Sequence, residues 1–170
     1  MKRDEQCANC GKSAQVVRRN YRFDEMGLPV ELMRIDVIRC PHCGNVDPII
    51  PHLSDLMHAL ALAVILAPCR LDGEEIRFLR KYIGKSAEEF ARLVHLDATH
   101  ISKVENGHLD IGNQSDKLIR FVVLSLSPEL KDKANRLIKI LPDIDDEPCQ
   151  GVKPEIHIDP ATMEIRYAVA

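Results

Sequence analysis

Two short cysteine pairs, Cys7-Ala-Asn-Cys10 and Cys40-Pro-His-Cys43, constrain this chain more than any other feature. Two residues between cysteines let both sulfurs face one ion from a tight turn. Each pair is followed by a glycine, Gly11 and Gly44, which permits a positive φ and a close approach of backbone to sulfur. Two such knuckles supply four thiolates, the closed tetrahedral set of a structural zinc site. Residues 11–39 separate them, more than a compact finger needs but suited to a β-hairpin between knuckles. The sequence therefore predicts Zn2+ held by Cys7, Cys10, Cys40 and Cys43.

Other uses of these cysteines fit less well. A redox dithiol needs one pair in a βαβ setting, and no such pattern surrounds either. A catalytic zinc keeps an open position, and four cysteines leave none. His42 lies inside the second knuckle and reads as a surface residue. Cys69 and Cys149 stand alone; Cys69 reads as buried and neither has an evident role. In a reducing compartment paired CxxC units read as metal ligands before they read as cross-links. The start, MKRDEQCANC, has no apolar run after its charges. The longest apolar stretch, 59–67, is about half a membrane span. Both features lead to the expectation of a cytoplasmic protein without a membrane segment.

Within residues 1–50, Gln15–Asp24 and Val30–Arg39 read as strands joined by the turn residues EMGLP. A segment this small cannot build a sufficient core alone, so the metal is expected to hold it together. Pro48 and Pro51 break the chain. Ser54 reads as the N-cap of an apolar helix that Pro68 ends, a buried connector or a dimer-facing element. Beyond Pro142 the acidic stretch DIDDEPCQGVKPE reads as a linker. The tail EIHIDPATMEIRYAVA alternates apolar and polar residues around a turn, as a hairpin does. A lone hairpin is marginal in water, so this one must pair with its own domain, a dimer mate or a partner.

Residues 71–126 carry regular helix punctuation. Asp72 with Glu75, and Ser86 with Glu89, have capping-box spacing. Gly84 and Gly107 stand where C′ glycines belong. Ile76, Leu79 and Ile83 share one face of a first helix; Phe90, Ala91 and Val94 line a second; Ile101 and Val104 line a third. A fourth helix is expected from about Ser115 to Leu126, and Pro128 opens another running to about Leu141. Within this run, Gly84–Gly107 reads as a capped helix, a short turn and a second helix from about Asp97 to Glu105, the plan of a helix-turn-helix. The second helix of such a unit enters the major groove with its N-terminal residues at base edges. With Ile101 and Val104 inward, Ala98, Thr99, Ser102 and Lys103 fall on or near the outer face. Thr can bond either kind of base edge, and Lys can donate to guanine or phosphate. Ser86 marks a helix N-terminus whose backbone N–H groups could hold a phosphate. Arg77, Arg80, Lys81, Lys85, Arg92 and Lys103 are available for a basic surface, offset by Glu74, Glu75, Glu88 and Glu89. The formal charge of −3 does not oppose this, because a footprint on DNA is a local patch.

The residues E-E-F-A-R-L-V (88–94) and I-S-K-V-E-N-G (101–107) closely resemble the XRE or Cro/repressor-type helix-turn-helix family. The resemblance implies that Ala98, Thr99 and Lys103 face bases and that Glu105 is structural. It departs at Ala87, where the family usually has Gln and a phosphate contact, and at His95, where it usually has Gly in the turn. The order of parts, a paired-CxxCG knob, a linker helix, EIRFLRKYIG (75–84) and the XRE unit, resembles the YgiT-type zinc-finger regulators, which include MqsA-type antitoxins. KLIRFVVLSLSPEL (117–130) is similar to the helix closing that family's DNA domain. The resemblance covers residues 5–130. It implies a homodimeric autorepressor whose zinc knob, in antitoxin members, neutralises an RNase toxin.

The expected fold is α+β, mostly α. It has a four-cysteine zinc-stapled β-hairpin domain (1–50), a linker helix (51–70), an XRE-type helix-turn-helix domain (71–142) and an acidic linker with a β-hairpin tail (143–170). The expected function is a sequence-specific transcriptional repressor on double-stranded operator DNA, antitoxin-like, acting as a homodimer with residues 1–50 open to an RNase toxin. Alternatives are a stand-alone regulator without a toxin, and a protein-binding module whose zinc domain is the active surface. A further reading has Arg18, Arg19 and Arg22 on the hairpin contacting nucleic acid. No enzyme is expected: His52, His58, His95, His100, His108 and His157 show no ligand spacing with carboxylates, and no nucleophile motif or phosphate loop is present.

Overall fold

The computed structural model describes residues 4–144 and 155–168. Among them the protein is α+β, with six α-helices and one mixed six-stranded sheet. The described residues divide into two compact units. One holds those within 1–24, 29–56 and 154–170, and the other those within 25–28 and 57–153. The acidic stretch at 145–154, with Cys149, lies outside the described residues. No helix among those described is long and apolar enough to cross a membrane.

The sheet unit is built on β2 (Ser13–Arg22) and β3 (Val30–Arg39), an antiparallel pair in which Val17 faces Val37 and Tyr21 faces Leu32. β2 begins earlier than residue 15 because Ala14 and Ser13 pair with Glu5 and Gln6 of β1 (Asp4–Gln6). The register slips between Arg19 and Tyr21, opposite Arg34, whose φ is 53°. There the Arg34 N–H donates to Asn20 Oδ1 at 3.1 Å, and Arg18 Nε donates to the Arg34 carbonyl at 2.8 Å. This irregularity shifts the alternation of β3 by one residue. As a result Val30 and Leu32 before it, and Ile35 and Val37 after it, are all buried. β4 (Val46–Pro48) pairs with the end of β3 beside the second cysteine pair.

The tail hairpin, β5 (Glu155–Asp159) and β6 (Glu164–Ala168), joins this same sheet. β5 runs parallel to the start of β3, with Val30 against Ile156, Glu31 against His157 and Leu32 against Ile158. The Ile156 N–H also donates to the Pro29 carbonyl at 2.8 Å. Ile156 and Ile158 are buried, so the hairpin that could not stand alone supplies apolar surface to the sheet it completes.

The helical elements are α1 (Leu53–Ile65), α2 (Gly73–Tyr82), α3 (Ala87–Leu93), α4 (Ala98–Glu105), α5 (Asn113–Leu126) and α6 (Ala134–Ile140). α1 starts one residue before the predicted cap. His52, at φ 55°, accepts from the N–H groups of Asp55 and Leu56, which places Ser54 inside the first turn. The single helix expected from Pro128 is a 3-10 turn over Pro128–Lys133 followed by α6. Leu130 N–H closes onto Ser127 O at 3.0 Å, the i+3 bond of the tighter helix. Leu130 and Leu137 are buried while Ile138 is exposed.

Both predicted capping boxes are formed. The Glu75 N–H donates to Asp72 Oδ1 at 2.9 Å, and the Glu89 N–H donates to Ser86 Oγ at 3.2 Å. α2, α3 and α4 all end alike. The residue after the C-cap has positive φ (Gly84 65°, His95 54°, Gly107 71°). The next N–H reaches back five residues, Lys85 to Arg80, Leu96 to Ala91 and His108 to Lys103, which is the Schellman closure.

The helical core is aliphatic around Phe90, with Ile76, Leu79, Ile101, Ile111 and Ile119 fully buried. At its centre lies a fully buried guanidinium. Arg120 on α5 donates to the carbonyls of Ile65, Ala67 and Cys69 at 2.8, 2.8 and 2.6 Å, and its Nε donates to Asp116 Oδ2 at 2.9 Å. Asp116 in turn accepts from the Leu71 N–H at 2.8 Å. Arg120 therefore caps the C-terminal carbonyls of α1, a helix whose sequence offers no basic residue in its last turn. Cys69, read as a buried cysteine standing alone, is half-buried and disulfide-bonded, and its carbonyl is one of the acceptors of this cluster.

Candidate metal centre and nucleic-acid interface

The four cysteines of the two pairs come together in the sheet unit, with their sulfurs all within 4.8 Å of one another. The two knuckles are built alike. Cys7 N–H donates to Lys12 O at 2.9 Å and Gly11 N–H to Cys7 O at 2.8 Å. Cys40 N–H donates to Asn45 O at 2.9 Å and Gly44 N–H to Cys40 O at 3.1 Å. Each loop closes only because its glycine turns at positive φ, 69° at Gly11 and 76° at Gly44. In each pair the first cysteine is buried and the second exposed. Sulfurs meet across the knuckles, Cys7 with Cys43 at 3.6 Å and Cys10 with Cys40 at 3.5 Å. Four thiolates bonded at about 2.3 Å around one tetrahedral ion would sit about 3.8 Å apart. The donor set and its spacing are thus compatible with a metal ion.

Electrostatics favour a cation here. The Cys43 thiol is lowered to about 6, chiefly by the Asn45 N–H on its sulfur. At Cys10 the Lys12 N–H also lowers the pKa, but desolvation and the thiols of Cys40, Cys43 and Cys7 outweigh it and push Cys10 up to about 12. Without a cation Cys43 gives up its proton more readily than an isolated thiol and Cys10 less readily. A bound divalent ion would compensate the accumulated charge. The side chains packed within the knob are few: Cys7, Ala14 and Cys40, with Ile38 against them. His42 is exposed, as expected.

The second constellation is on α3 and α4. Ala98, Thr99, Ser102 and Lys103 are all exposed along α4, while Ile101, Val104 and Glu105 on its other side are buried. Asp97 takes the N-cap position without a side-chain bond. Glu105 is gripped by Arg80, whose Nε and Nη2 donate to its two carboxylate oxygens at 2.6 and 2.8 Å. This bidentate bond raises the Arg80 pKa. Arg77 donates to the Glu105 carbonyl at 2.7 Å and to Asn106 Oδ1 at 2.8 Å. Two members of the expected basic surface are therefore engaged: Arg80, largely covered, and Arg77, with 38% of its side chain exposed, hold α2 to α4. Lys85 and Arg92 lie within ion-pair reach of Glu89 and Glu88. Lys81 and Lys103 remain exposed.

Ser86 is the exposed N-cap of α3, and both its hydroxyl and its N–H are engaged with Glu89. The Glu89 carboxyl is held below its usual range, first by that Ser86 N–H. The Asn106 amide donates to Ser102 O at 2.7 Å and lies 3.4 Å from Ser102 Oγ. Arg18, Arg19 and Arg22 are exposed on β2, with each Nε donating to a local acceptor. Nothing in the sequence singles out Gly73. A Cβ there would lie 2.1 Å from the Val104 carbonyl oxygen, so α2 can approach the end of α4 only without a side chain. Comparison with protein-family models, with curated proteins and with solved structures found no match for this chain.

Proposed function

We propose that this protein is a sequence-specific double-stranded DNA-binding regulator, a repressor, that reads its operator with α4 and carries a structural zinc ion on Cys7, Cys10, Cys40 and Cys43. The observation that carries this reading is the two-sidedness of α4. Its inner side is clamped through Ile101, Val104 and the Arg80–Glu105 pair, leaving Ala98, Thr99, Ser102 and Lys103 presented outward on a fixed support. A short helix that must place a few side chains at base edges needs that rigidity. His95 supports the reading too. It adopts the left-handed turn conformation that Gly takes in the XRE family, so the turn before α4 keeps its geometry despite the substitution. The engaged Ser86 and the acidic first turn of α3 leave the phosphate-holding role to other groups, with Lys103 the foremost exposed cation.

The repressor would act as a homodimer. α1 already buries Ala59–Ile65 within the chain, and the tail hairpin is already paired with β3. Leu118 and Leu126 on α5 and Ile138 on α6 are the exposed apolar groups that support a mate at the C-terminal helices.

The test is binding of the zinc-loaded protein to its own promoter DNA, against scrambled competitor, at two salt concentrations. Selective binding is expected. Lys103→Ala should weaken it and reduce the salt slope by about 0.9, the share of one neutralised phosphate, without moving the melting temperature. A melting shift would return Lys103 to a structural role; no preference over scrambled DNA would reduce α3–α4 to a scaffold. The antitoxin reading adds an RNase toxin bound by the cysteine-bearing region. It is supported by the resemblance and by the four paired cysteines lying in the sheet unit, which does not include α3 and α4. Co-purification with a small basic RNase encoded beside this gene would support it, and failure to bind that RNase would leave a stand-alone regulator.

A further inference from the structure

The sheet unit gathers a second group of metal-capable side chains, away from the cysteines in sequence. Glu155 and His157 lie two residues apart on β5 and so point to one face of the sheet. The parallel register sets Glu31 of β3 beside His157 on that face. His157 Nε2 is 3.1 Å from Glu155 Oε2 and 3.5 Å from Glu31 Oε2, and the three ligand atoms all lie within 4.8 Å of one another. All three side chains are half-buried, with 23–33% of each side chain accessible.

A simple ion pair explains this arrangement poorly. One Nε2–H can point at one acceptor, yet two carboxylates converge on the same nitrogen. The neighbouring cations are each bonded to another carboxylate, although Arg22 also attracts Glu155 and Arg166, bonded to Glu164, stands opposite His157. Arg22, across from Glu31, donates to Asp24 at 2.8 Å. Arg34 pairs with Asp159, the next side chain along that face of β5. A tetrahedral ion with bonds of about 2.0–2.1 Å to nitrogen and oxygen would need these atoms about 3.3–3.4 Å apart, which falls between the two separations from His157.

We propose that Glu31, Glu155 and His157 form a second metal site, for a divalent cation that accepts mixed imidazole and carboxylate ligands, with Zn2+ as its probe. Mixed ligands of this kind suit zinc better than the harder magnesium or calcium. With three protein ligands the ion keeps a fourth position for water. Its ligands come from strands far apart in sequence, so the ion fastens the tail hairpin to β3. The cysteine cluster closes the other end of the sheet, and the two sites are independent in ligands.

The test uses full-length protein already carrying one equivalent of zinc. A second equivalent is added under calorimetry, while hydrogen exchange is followed over residues 155–168. A second equivalent should bind, and the amides of 155–159 should become slower to exchange. His157→Gln and, separately, Glu31→Gln should weaken that second binding by more than the roughly 10–100-fold that loss of an outer-shell partner costs. In both variants the first equivalent should remain bound. Uptake that stops at one equivalent overturns the site. So does a second equivalent that binds both variants as tightly as the parent, because the ion then lies elsewhere.

Discussion

In the sheet unit the side chains packed with the cysteine cluster come down to Ala14 and Ile38, whereas the helical unit closes around Ile76, Leu79, Phe90, Ile101 and Ile119. The first region gathers its knuckle end on four sulfurs within 4.8 Å, while the rest of its sheet buries Val30, Leu32, Ile35 and Val37 with Ile156 and Ile158 of the hairpin from the far end of the chain. The second spreads its constraint over many aliphatic side chains and sets a single buried guanidinium among them. A site that depends on one ion fails as a whole when the ion is lost; a distributed core fails in proportion to what is removed. The two regions should therefore respond separately, and in different ways, to perturbation.

Removing the proposed zinc, by chelation or by Cys40→Ser, is the largest test of that contrast. Structural zinc binding supplies roughly 10–16 kcal/mol in small peptides at neutral pH, more than a domain of this size holds in reserve. Residues 4–48 should lose their exchange protection, and 155–168 should lose it with them, because β5 has no other partner strand than β3 and β6 among the described residues. Protection over 73–144 and operator binding should persist. Simultaneous loss of the helical signal would show that the two units are one cooperative body.

Within the helical unit, Arg120→Met is the next largest change. It strands the Ile65, Ala67 and Cys69 carbonyls and leaves Asp116 without its cation, a loss of about 3–5 kcal/mol. The double variant Asp116→Asn with Arg120→Met should recover part of that loss, since the amide can still accept from Leu71 N–H while carrying no buried charge. Thermal melting of the helical signal decides it. A double variant less stable than the single one would mean that Asp116 contributes through something other than Arg120.

How far these features can be read from the sequence depends on their range along the chain. The cysteine knuckles, both capping boxes and the glycines at 84 and 107 are local devices, and each is legible because partner and spacing lie within a few residues. Arg120 is not, because its carbonyl acceptors lie more than fifty positions away and its i−4 partner Asp116 makes it look like any solvated helix ion pair. The tail is legible as a hairpin but its partner is not, since apolar alternation fixes a face and not a neighbour. Arg77 and Arg80 pass for surface cations for the same reason: nothing nearby announces that Glu105 will reach them. The α4 face is legible from its inward Ile101 and Val104. The Glu31–His157 pairing is invisible, because it exists only through the β3–β5 register.

Two substitutions at backbone turning points sharpen the contrast with opposite signs. Gly73→Ala puts a methyl into the Val104 carbonyl, and since the obstacle is backbone, α2 and α4 must part. About 1–3 kcal/mol of stability should be lost, the usual cost of overpacking. Because α2 is what holds Glu105 through Arg80, operator affinity should fall with it. Unchanged melting would mean that the two helices slide apart at no cost.

The smallest effect is a gain. His95 occupies the C′ position of α3 at φ 54°, in the role that Gly84 and Gly107 fill for the helices on either side. A side chain there meets the following carbonyl, a cost of about 1 kcal/mol that glycine escapes. Glycine also has more freedom to lose on folding, which offsets part of the gain. His95→Gly should still raise the melting temperature of the helical unit by a few degrees, because the closure of Leu96 N–H onto Ala91 O already demands the left-handed turn. The sheet unit should not respond. If stability falls instead, the exposed imidazole makes an interaction that outweighs the strain, and the departure from glycine at this turn serves the protein rather than costing it.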